Sequence, residues 1–481
     1  MPSNRVISVR AGDDAVQPES LREGIAAIQA ELGLSTEFPD DVERAAAAAA
    51  ASPRLPDLDL THVPFVTIDP ESAQDLDQAM YLERDGDGYV VRYAIADLTA
   101  FITPGDPIDV EANRRGETLY GADSKIPLHP KVISEDAGSL LPDEVRPALV
   151  WTIKVDATGE GTDANVERAL VRSRAKLDYA SLQEEIDAGT ADEMFTILRE
   201  VGELRIAREA ARGGVSLPLP EQEIVDEDGT WRLEFRSMAP VESWNAQISL
   251  LTGFAAASLM VYARVGLLRT LPPVDHRDIT RLHRTAKALK IEWPAEQLYP
   301  DFIRSLDPAE PNHAAMVVAC TRILRGSGYV GFDGELPEQA QHSALASEYA
   351  HVTAPLRRLV DRYALEICVA LCADQDVPGW VLEKLHELPD TMRESSRRAN
   401  QYENAILNLV EAAVLAPRVG EEFSAVVVEV DEKDDTRGDV TVQEPAIEAG
   451  VVGSGPLPVG EEVSVRLTTA DVETRKVEFT L

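Results

Sequence analysis

Residues 67–79 read TIDPESAQDLDQA, and this segment constrains the fold and the chemistry of the chain more than any other. The run at 65–68 is apolar and β-branched, which predicts a short strand that ends at Asp69. Asp75 and Asp77 follow, two residues apart, and point to one side if the chain is extended there. Carboxylates this close repel one another, and a hard cation such as magnesium resolves the repulsion. Because isolated Asp-x-Asp pairs also occur in solvated turns, the segment alone leaves both a metal site and an exposed turn open.

A second informative segment, residues 349–363, reads YAHVTAPLRRLVDRY. Thr353 suits the cap of a helix and Pro355 suits its first turn, so we expect a helix to begin here. Arg357 and Arg358 would then lie near the helix start. The arginines either pair with neighbouring carboxylates or, together with the helix terminus, receive a phosphate group. The carboxylate segment needs a phosphate partner, which favours the second interpretation.

Periodicity and turn residues predict the architecture around these two segments. We expect a hairpin over 80–96, a strand over 150–155, and helices over 198–212, 248–268 and 397–415. Residues 419–481 hold short strands punctuated by glycine and proline, which predicts a small β-barrel. Residues 1–60 are acidic and alanine-rich, with a helical Leu/Ile repeat from Leu21 to Leu32, and indicate a helical module.

Composition narrows the class of protein. The chain has 481 residues, with 84 acidic against 46 basic side chains and a net charge of −38. This charge argues against a protein that coats nucleic acid with a broad basic surface, although a narrow basic channel stays compatible with it. Three cysteines form neither a disulfide framework nor a zinc pair, which favours a reducing cytoplasm. Without a basic-then-apolar leader or 18 consecutive apolar residues, we expect no membrane partner.

Several motifs together resemble the ribonuclease II family, whose RNB catalytic domain carries a Thr-Ile-Asp…Asp-x-Asp signature. Residues 353–358 are similar to the family's Thr-Ser-Pro-Ile-Arg motif. Between the two, the chain resembles the family's Tyr…Ile-Pro-x-x-Pro…Glu-Val-Arg-Pro stretch at Tyr120, 126–130 and 144–147, and its Ile-Ala-Asp segment at 94–97. The resemblance implies an α+β protein in three parts: a short helical N-terminal module (1–60), a large mixed RNB catalytic domain (61–417) and a C-terminal OB-fold barrel of RNA-binding type (418–481). The first part is too short for the two cold-shock domains that precede RNB in many bacterial members.

The resemblance also implies an activity. The chain would be a hydrolytic 3′→5′ exoribonuclease that degrades single-stranded RNA to nucleoside 5′-monophosphates in a buried channel. Magnesium, or manganese in its place, would be held by Asp69, Asp75 and Asp77. The implied catalytic residues are Asp77, Arg357 and Asp75. Tyr120 would stack on the terminal base, and the implied substrate-binding residues are Tyr120, Arg357, Arg358, His351 and Gln78. Single-stranded RNA is the expected partner, and the protein is expected to be a cytoplasmic monomer.

Two departures from the family pattern keep alternatives open. Gln78 stands where the family usually has a fourth aspartate, and Glu403 on a late helix is a candidate replacement. The barrel at 419–481 holds 15 acidic and 5 basic residues, so it either covers the channel as a lid or contacts RNA through a small patch. The alternative functions are a catalytically impaired RNA-binding or scaffold protein on the same fold, and a metal-dependent phosphoesterase that acts on small nucleotides.

Overall fold

The structure is a computed structural model that describes residues 8–10, 19–122, 124–217, 221–227, 230–236, 238–307, 310–431 and 433–481. Residues 1–7 and 11–18 of the predicted N-terminal module lie outside the described residues. The strands are β1 (Ser8–Arg10), β2 (Phe65–Ile68), β3 (Gln78–Asp85), β4 (Gly88–Ala96), β5 (Leu119–Tyr120), β6 (Lys125–Ile126), β7 (Val145–Val155), β8 (Gly161–Leu177), β9 (Glu221–Glu227), β10 (Thr230–Arg236), β11 (Val265–Thr270), β12 (Gly328–Asp333), β13 (Gln341–His342), β14 (Ser347–Glu348), β15 (Glu422–Val430), β16 (Arg437–Val442), β17 (Ile447–Val452), β18 (Glu462–Asp471) and β19 (Lys476–Thr480). The α-helices are α1 (Glu19–Glu31), α2 (Asp40–Ala51), α3 (Pro107–Arg115), α4 (Tyr179–Ala188), α5 (Glu193–Arg212), α6 (Pro240–Ala263), α7 (His276–Ala288), α8 (Tyr299–Arg304), α9 (Pro311–Cys320), α10 (Leu359–Cys372), α11 (Gly379–Lys384) and α12 (Leu388–Leu415).

A closed five-stranded barrel in the order β2-β3-β4-β7-β8 positions the aspartate segment. The hairpin β3–β4 and the strands β2 and β7 confirm the predicted strands. Strand β2 pairs in parallel with the end of β8, where Thr67 lies opposite Lys176. Alternate side chains of β4 and β7 point inward, so Tyr93 and Trp151 are fully buried. Because β2 ends at the barrel rim, the chain leaves it at Asp69 beside the interior.

Helix α6 begins and ends earlier in the chain than the sequence indicated. The prediction of helix through residue 268 was wrong, because α6 ends at Ala263 and residues from Val265 onward form β11. Arg264 has φ 59° and turns the chain between the two elements. A continuous apolar run has no period that separates helix from strand, which explains the error. By length and composition α6 is also long and apolar enough to cross a membrane, but it packs against α5, α10 and β11.

The C-terminal residues form the predicted second barrel, closed in the order β15-β16-β17-β19-β18. Its interior is filled by Val440, Val465, Leu467 and Phe479, all fully buried. The barrel packs against α9 and α12, and α12 also carries α1 on another face. The α+β fold class with a C-terminal OB-like barrel is thus confirmed, whereas the boundaries of the three predicted parts stay predictions.

Candidate active site

The aspartate segment leaves β2 and returns as β3 without regular structure in between, and two side chains hold it in place. The Lys176 ammonium donates hydrogen bonds to the carbonyls of Glu71 and Ala73, at 2.5 and 2.6 Å. The Ser139 hydroxyl donates to the Gln74 carbonyl at 2.6 Å and accepts from the amide of Leu76 at 2.9 Å. Lys176 and Ser139 therefore fix the loop at the barrel rim, although residues 70–72 and Gln74 are exposed.

Asp77 is almost completely buried, with 3% of its surface exposed. Its Oδ1 accepts a hydrogen bond from the backbone amide of Leu356 at 2.8 Å, and its Oδ2 lies 3.5 Å from Nε of Arg357. Burial raises the pKa of Asp77 well above its ordinary value, although Arg357 and the Leu356 amide oppose this shift. The structure therefore joins the aspartate segment to the arginine segment through a carboxylate whose charge is costly without a cation nearby.

Asp69 contributes a second buried carboxylate. Its Oδ2 is buried and has no hydrogen-bond partner. Burial raises the pKa of Asp69 to about 6, and the charge of Asp75 adds to this shift while Arg357 and Lys176 oppose it. An unpartnered buried oxygen next to another carboxylate is an arrangement that a cation stabilises.

Asp75 is paired with a lysine that the sequence reasoning missed. Lys125 Nζ lies 2.5 Å from Asp75 Oδ1 and 3.1 Å from Glu135 Oε1. Lys125 belongs to β6, directly opposite Tyr120 in β5. The only sequence signal was its place immediately before Ile126 in a family-like stretch. The carboxylates thus have a fixed cation of their own in addition to Arg357.

The donor set fits a magnesium ion held by few protein ligands. Among the described residues, no three His, Cys, Asp or Glu side chains lie close enough together to hold a metal between them. Magnesium does not require such a cage, because it usually binds one or two carboxylates, several waters and a substrate phosphate. The unpartnered oxygen of Asp69 meets this smaller demand, whereas Asp75 is already paired with Lys125.

The arginine segment is not the first turn of a helix, so the predicted helix start was wrong. Helix α10 begins at Leu359, and Arg358 is its capping residue with extended backbone. The segment pairs instead with the chain before β5, where the amide of Thr118 donates to the Arg357 carbonyl at 2.9 Å. The Asp361 carboxylate accepts from the amide of Ala354 at 2.8 Å, and residues 355–357 form a turn before the helix. Because Arg357 precedes the helix, the predicted anion site at a helix terminus is not formed by this residue.

The two arginines have different surroundings. The Arg357 side chain keeps 50% of its surface exposed and faces Asp77. Arg358 donates two hydrogen bonds to the fully buried Asp361 carboxylate, from Nε to Oδ2 and from Nη2 to Oδ1, the second at 2.8 Å. The interpretation as a pair with a neighbouring carboxylate therefore holds for this arginine. Arg357 is thus the guanidinium that is available to a phosphate group, while Arg358 braces the segment.

Three further predicted site residues occupy different positions. The pKa of Tyr120 is raised by burial, and the charges of Arg357, Asp75 and Asp77 act on its hydroxyl, which places it with the cluster. The Gln78 side-chain amide donates to the carbonyl of Thr353, so it ties the two segments together instead of adding a charge. His351 lies among aromatic rings, with its Nδ1 2.7 Å from the Tyr329 hydroxyl, and burial lowers its pKa well below the ordinary value. A neutral His351 can contact a base or sugar but adds no charge to a phosphate site.

The structure places Glu403, the candidate replacement for the missing aspartate, near Glu117. The charge that acts on it is Glu117, and burial together with this neighbour raises the pKa of Glu403 to about 7. Ionising Glu403 in the folded protein is therefore more costly than in the unfolded chain, so this group destabilises the fold as the pH rises from its ordinary pKa of 4.5 through about 7.

We therefore expect Glu403→Gln to raise the midpoint of thermal unfolding at pH 8 by about 1 °C, the shift that about 1 kcal/mol produces in a chain of 481 residues. At pH 5, just above the ordinary pKa of 4.5, the difference should fall to about a quarter of that at pH 8. Thermal unfolding at both pH values measures this, with the exposed Glu335→Gln as the control. Equal shifts at pH 5 and pH 8 would show that charge is not the cause.

Two family models match most of the chain. The RNB domain family matches residues 58–373, and the RNase II-type exonuclease C-terminal S1 domain matches residues 421–481. The chain is similar to Exoribonuclease 2 of Vibrio parahaemolyticus, with 31% identity over 252 residues that cover 51% of this chain and 37% of the relative. It is similar to Ribonuclease R of Escherichia coli, with 25% identity over 472 residues that cover 88% of this chain and 57% of the relative.

A solved structure shares the fold. RNase R of Mycoplasma genitalium, in complex with ribose-methylated single-stranded RNA, superimposes with a TM-score of 0.85 and 19% identity, covering 96% of this chain and 78% of that one. The chain spans less than two thirds of the length of both curated relatives above.

Proposed function

This chain belongs to the RNB-domain family, and from that premise we propose that it is a hydrolytic 3′→5′ exoribonuclease acting on single-stranded RNA. The proposed products are nucleoside 5′-monophosphates, released one at a time from the 3′ end. The observation that carries the proposal is the contact between the two distant segments: Asp77 accepts from the Leu356 amide and faces the half-exposed Arg357.

The side chains suggest a division of roles in phosphodiester hydrolysis. Asp69 and Asp75 would hold magnesium at the rim of the barrel, with Asp77 completing the charge around it. When bound, magnesium would act as a Lewis acid on the phosphodiester and on the attacking water. Arg357 would bind a non-bridging phosphate oxygen and stabilise the charge that develops on it. Tyr120 would stack on the terminal base, a contact that every base can make.

The proposal is tested with 5′-labelled single-stranded RNA and magnesium, with products resolved by length. We expect a ladder of labelled fragments that shortens from the 3′ end, and uniformly labelled RNA should show mononucleotides as the released species. Cleavage of short dinucleotides at the same rate as long RNA would favour a phosphoesterase for small nucleotides. A cytoplasmic location and a monomeric state stay predictions from the sequence.

The second candidate is a catalytically impaired RNA-binding protein on the same fold. It is favoured by two observations: Gln78 uses its amide to hold Thr353, and Lys125 already neutralises Asp75. The same assay separates the two, because RNA that is bound and left intact at all magnesium and manganese concentrations supports the impaired protein.

The Lys125–Asp75 pair predicts how strongly the free protein binds a divalent cation. In Lys125→Met the ammonium is lost and the aliphatic stem is kept, so Asp75 and Glu135 lose their fixed counter-charge. We expect the affinity for magnesium or manganese to rise about tenfold or more. A tenfold change needs about 1.4 kcal/mol, and the repulsion between a lysine ammonium and a cation about 4 Å away is several times larger.

Calorimetric titration of the RNA-free protein with magnesium, or manganese binding followed by electron paramagnetic resonance, measures this affinity. Lys131→Met is the matched control, because Lys131 lies 3.7 Å from Glu135 and is 69% exposed. Unchanged or weaker metal binding in Lys125→Met would show that Lys125 orients Asp75 for the metal rather than competing with it.

A further inference from the structure

Helix α7 is a basic surface in an acidic protein. Residues 276–290 contain five cationic side chains, Arg277, Arg281, Arg284, Lys287 and Lys290, and one acidic side chain, Asp278, while the whole chain carries −38. All five cationic residues are exposed. Arg277, Arg281, Arg284 and Lys287 follow one another at spacings of four, three and three, so they form a stripe along one side of the helix. This charged stripe lies outside the candidate active site.

The opposite side of α7 anchors the helix, since Leu282 and Ala286 are buried. Within the described part of the chain, Arg277, Arg284 and Lys287 form no ion pair, whereas Lys290 lies 3.2 Å from Glu461 of the C-terminal barrel. The stripe is thus anchored by the core, and three of its cations, Arg277, Arg284 and Lys287, form no ion pair with the described carboxylates.

A groove lined by aromatic rings adjoins the stripe. It encloses about 460 Å³, and its lining includes His283, Lys287, Lys290, Glu292 and Trp293. His283 stacks on Trp293 with ring centroids 3.9 Å apart. Trp293 stacks in turn on the fully buried Phe302 at 3.9 Å, so the aromatic rings are fixed from below.

We propose that the α7 stripe and this groove form a docking surface for single-stranded RNA outside the active site. Cations spaced along a helix fit the phosphates of a strand, and a fixed aromatic stack beside them fits an unpaired base. A net charge of −38 repels an extended anionic surface such as a membrane more than a single strand that follows only the stripe and the groove. The proposal rests on the proposed function only in taking RNA as the substrate.

Removing three cations tests the proposal. The variant Arg277→Gln/Arg284→Gln/Lys287→Gln is compared with Lys384→Gln/Arg393→Gln/Arg397→Gln, which removes the same charge from exposed positions of α11 and α12. The affinity for a labelled 20-nucleotide RNA is measured by fluorescence anisotropy in EDTA across a series of salt concentrations. If each cation contacts one phosphate, the logarithmic salt slope of the α7 variant should fall by about 2 and its affinity at 0.1 M salt by about a hundredfold.

The outcomes separate this inference from the proposed function. We expect the control variant to keep the wild-type slope, and RNA of four nucleotides to bind both variants equally. A slope and affinity of the α7 variant that match those of the control overturn the inference. Unchanged RNA binding together with lost binding to phosphatidylserine vesicles would also overturn it, in favour of a membrane surface. If wild type binds RNA through α7 but leaves it intact with magnesium, the inference stands and the exoribonuclease proposal fails.

Discussion

Replacing Asp77 by asparagine is expected to lower the rate of RNA cleavage about a thousandfold or more without destabilising the fold. Asparagine keeps an oxygen at the position that accepts the Leu356 amide, so the join between the two segments is preserved. The negative charge beside Arg357 is lost, and with it the contribution of Asp77 to holding the cation and the attacking water. Because burial raises the pKa of Asp77 well above its ordinary value, removing its charge should leave the unfolding temperature unchanged or raise it.

The measurement combines the length-resolved RNA assay with thermal unfolding at the same pH. Asp87→Asn, at the exposed turn between β3 and β4, is the matched control and should keep wild-type activity. Cleavage by Asp77→Asn within tenfold of wild type would show that Asp77 only supports the arginine segment. A fall in unfolding temperature would show that the charge of Asp77, and not only its oxygen, stabilises the fold.

Replacing Arg357 by alanine is expected to reduce activity, whereas replacing the neighbouring Arg358 by alanine is expected to reduce the stability of the fold. Arg357 is half exposed and faces Asp77, so its loss should reduce the turnover rate about a hundredfold, the typical effect of removing one donor to a developing oxyanion, with little loss of stability. Arg358 compensates the fully buried Asp361, so its loss should destabilise the fold by about 3–5 kcal/mol.

Chemical denaturation and steady-state kinetics of the two variants, measured side by side, give both quantities. Each variant is the control for the other, because both remove one guanidinium from the same segment. Arg358→Ala that is folded at low temperature should retain more activity than Arg357→Ala. The reverse order would place Arg358 at the phosphate and would contradict the roles assigned to the two residues.

Much of the fold was predictable because its signals are local. The strand before Asp69, the β3–β4 hairpin and the C-terminal barrel follow from side-chain alternation and turn residues that lie within a few positions of each other. The family-like motifs also identified Asp69, Asp77 and Arg357 as members of one site. The start of α10 was wrong because Thr353 and Pro355 carry a local capping signal, while the pairing of residues 116–118 with the arginine segment overrides it.

The candidate site depended more on distant partners. Whether Arg357 or Arg358 is available was settled by Asp361, which binds only one of them. The resemblance implied that Gln78 binds substrate, but its amide donates to the carbonyl of Thr353. Lys125 had no motif of its own and became part of the site only because β6 brings it to Asp75.

The amino-acid sequence by itself determined which local elements form and which residue types are available for chemistry, since propensity, periodicity and turn chemistry act over a few residues. Only the tertiary structure decided which charges are buried, which of them are already paired, and which face open space. The physical reason is that desolvation and ion pairing depend on the neighbours that folding brings from other parts of the chain, and no local pattern specifies those neighbours.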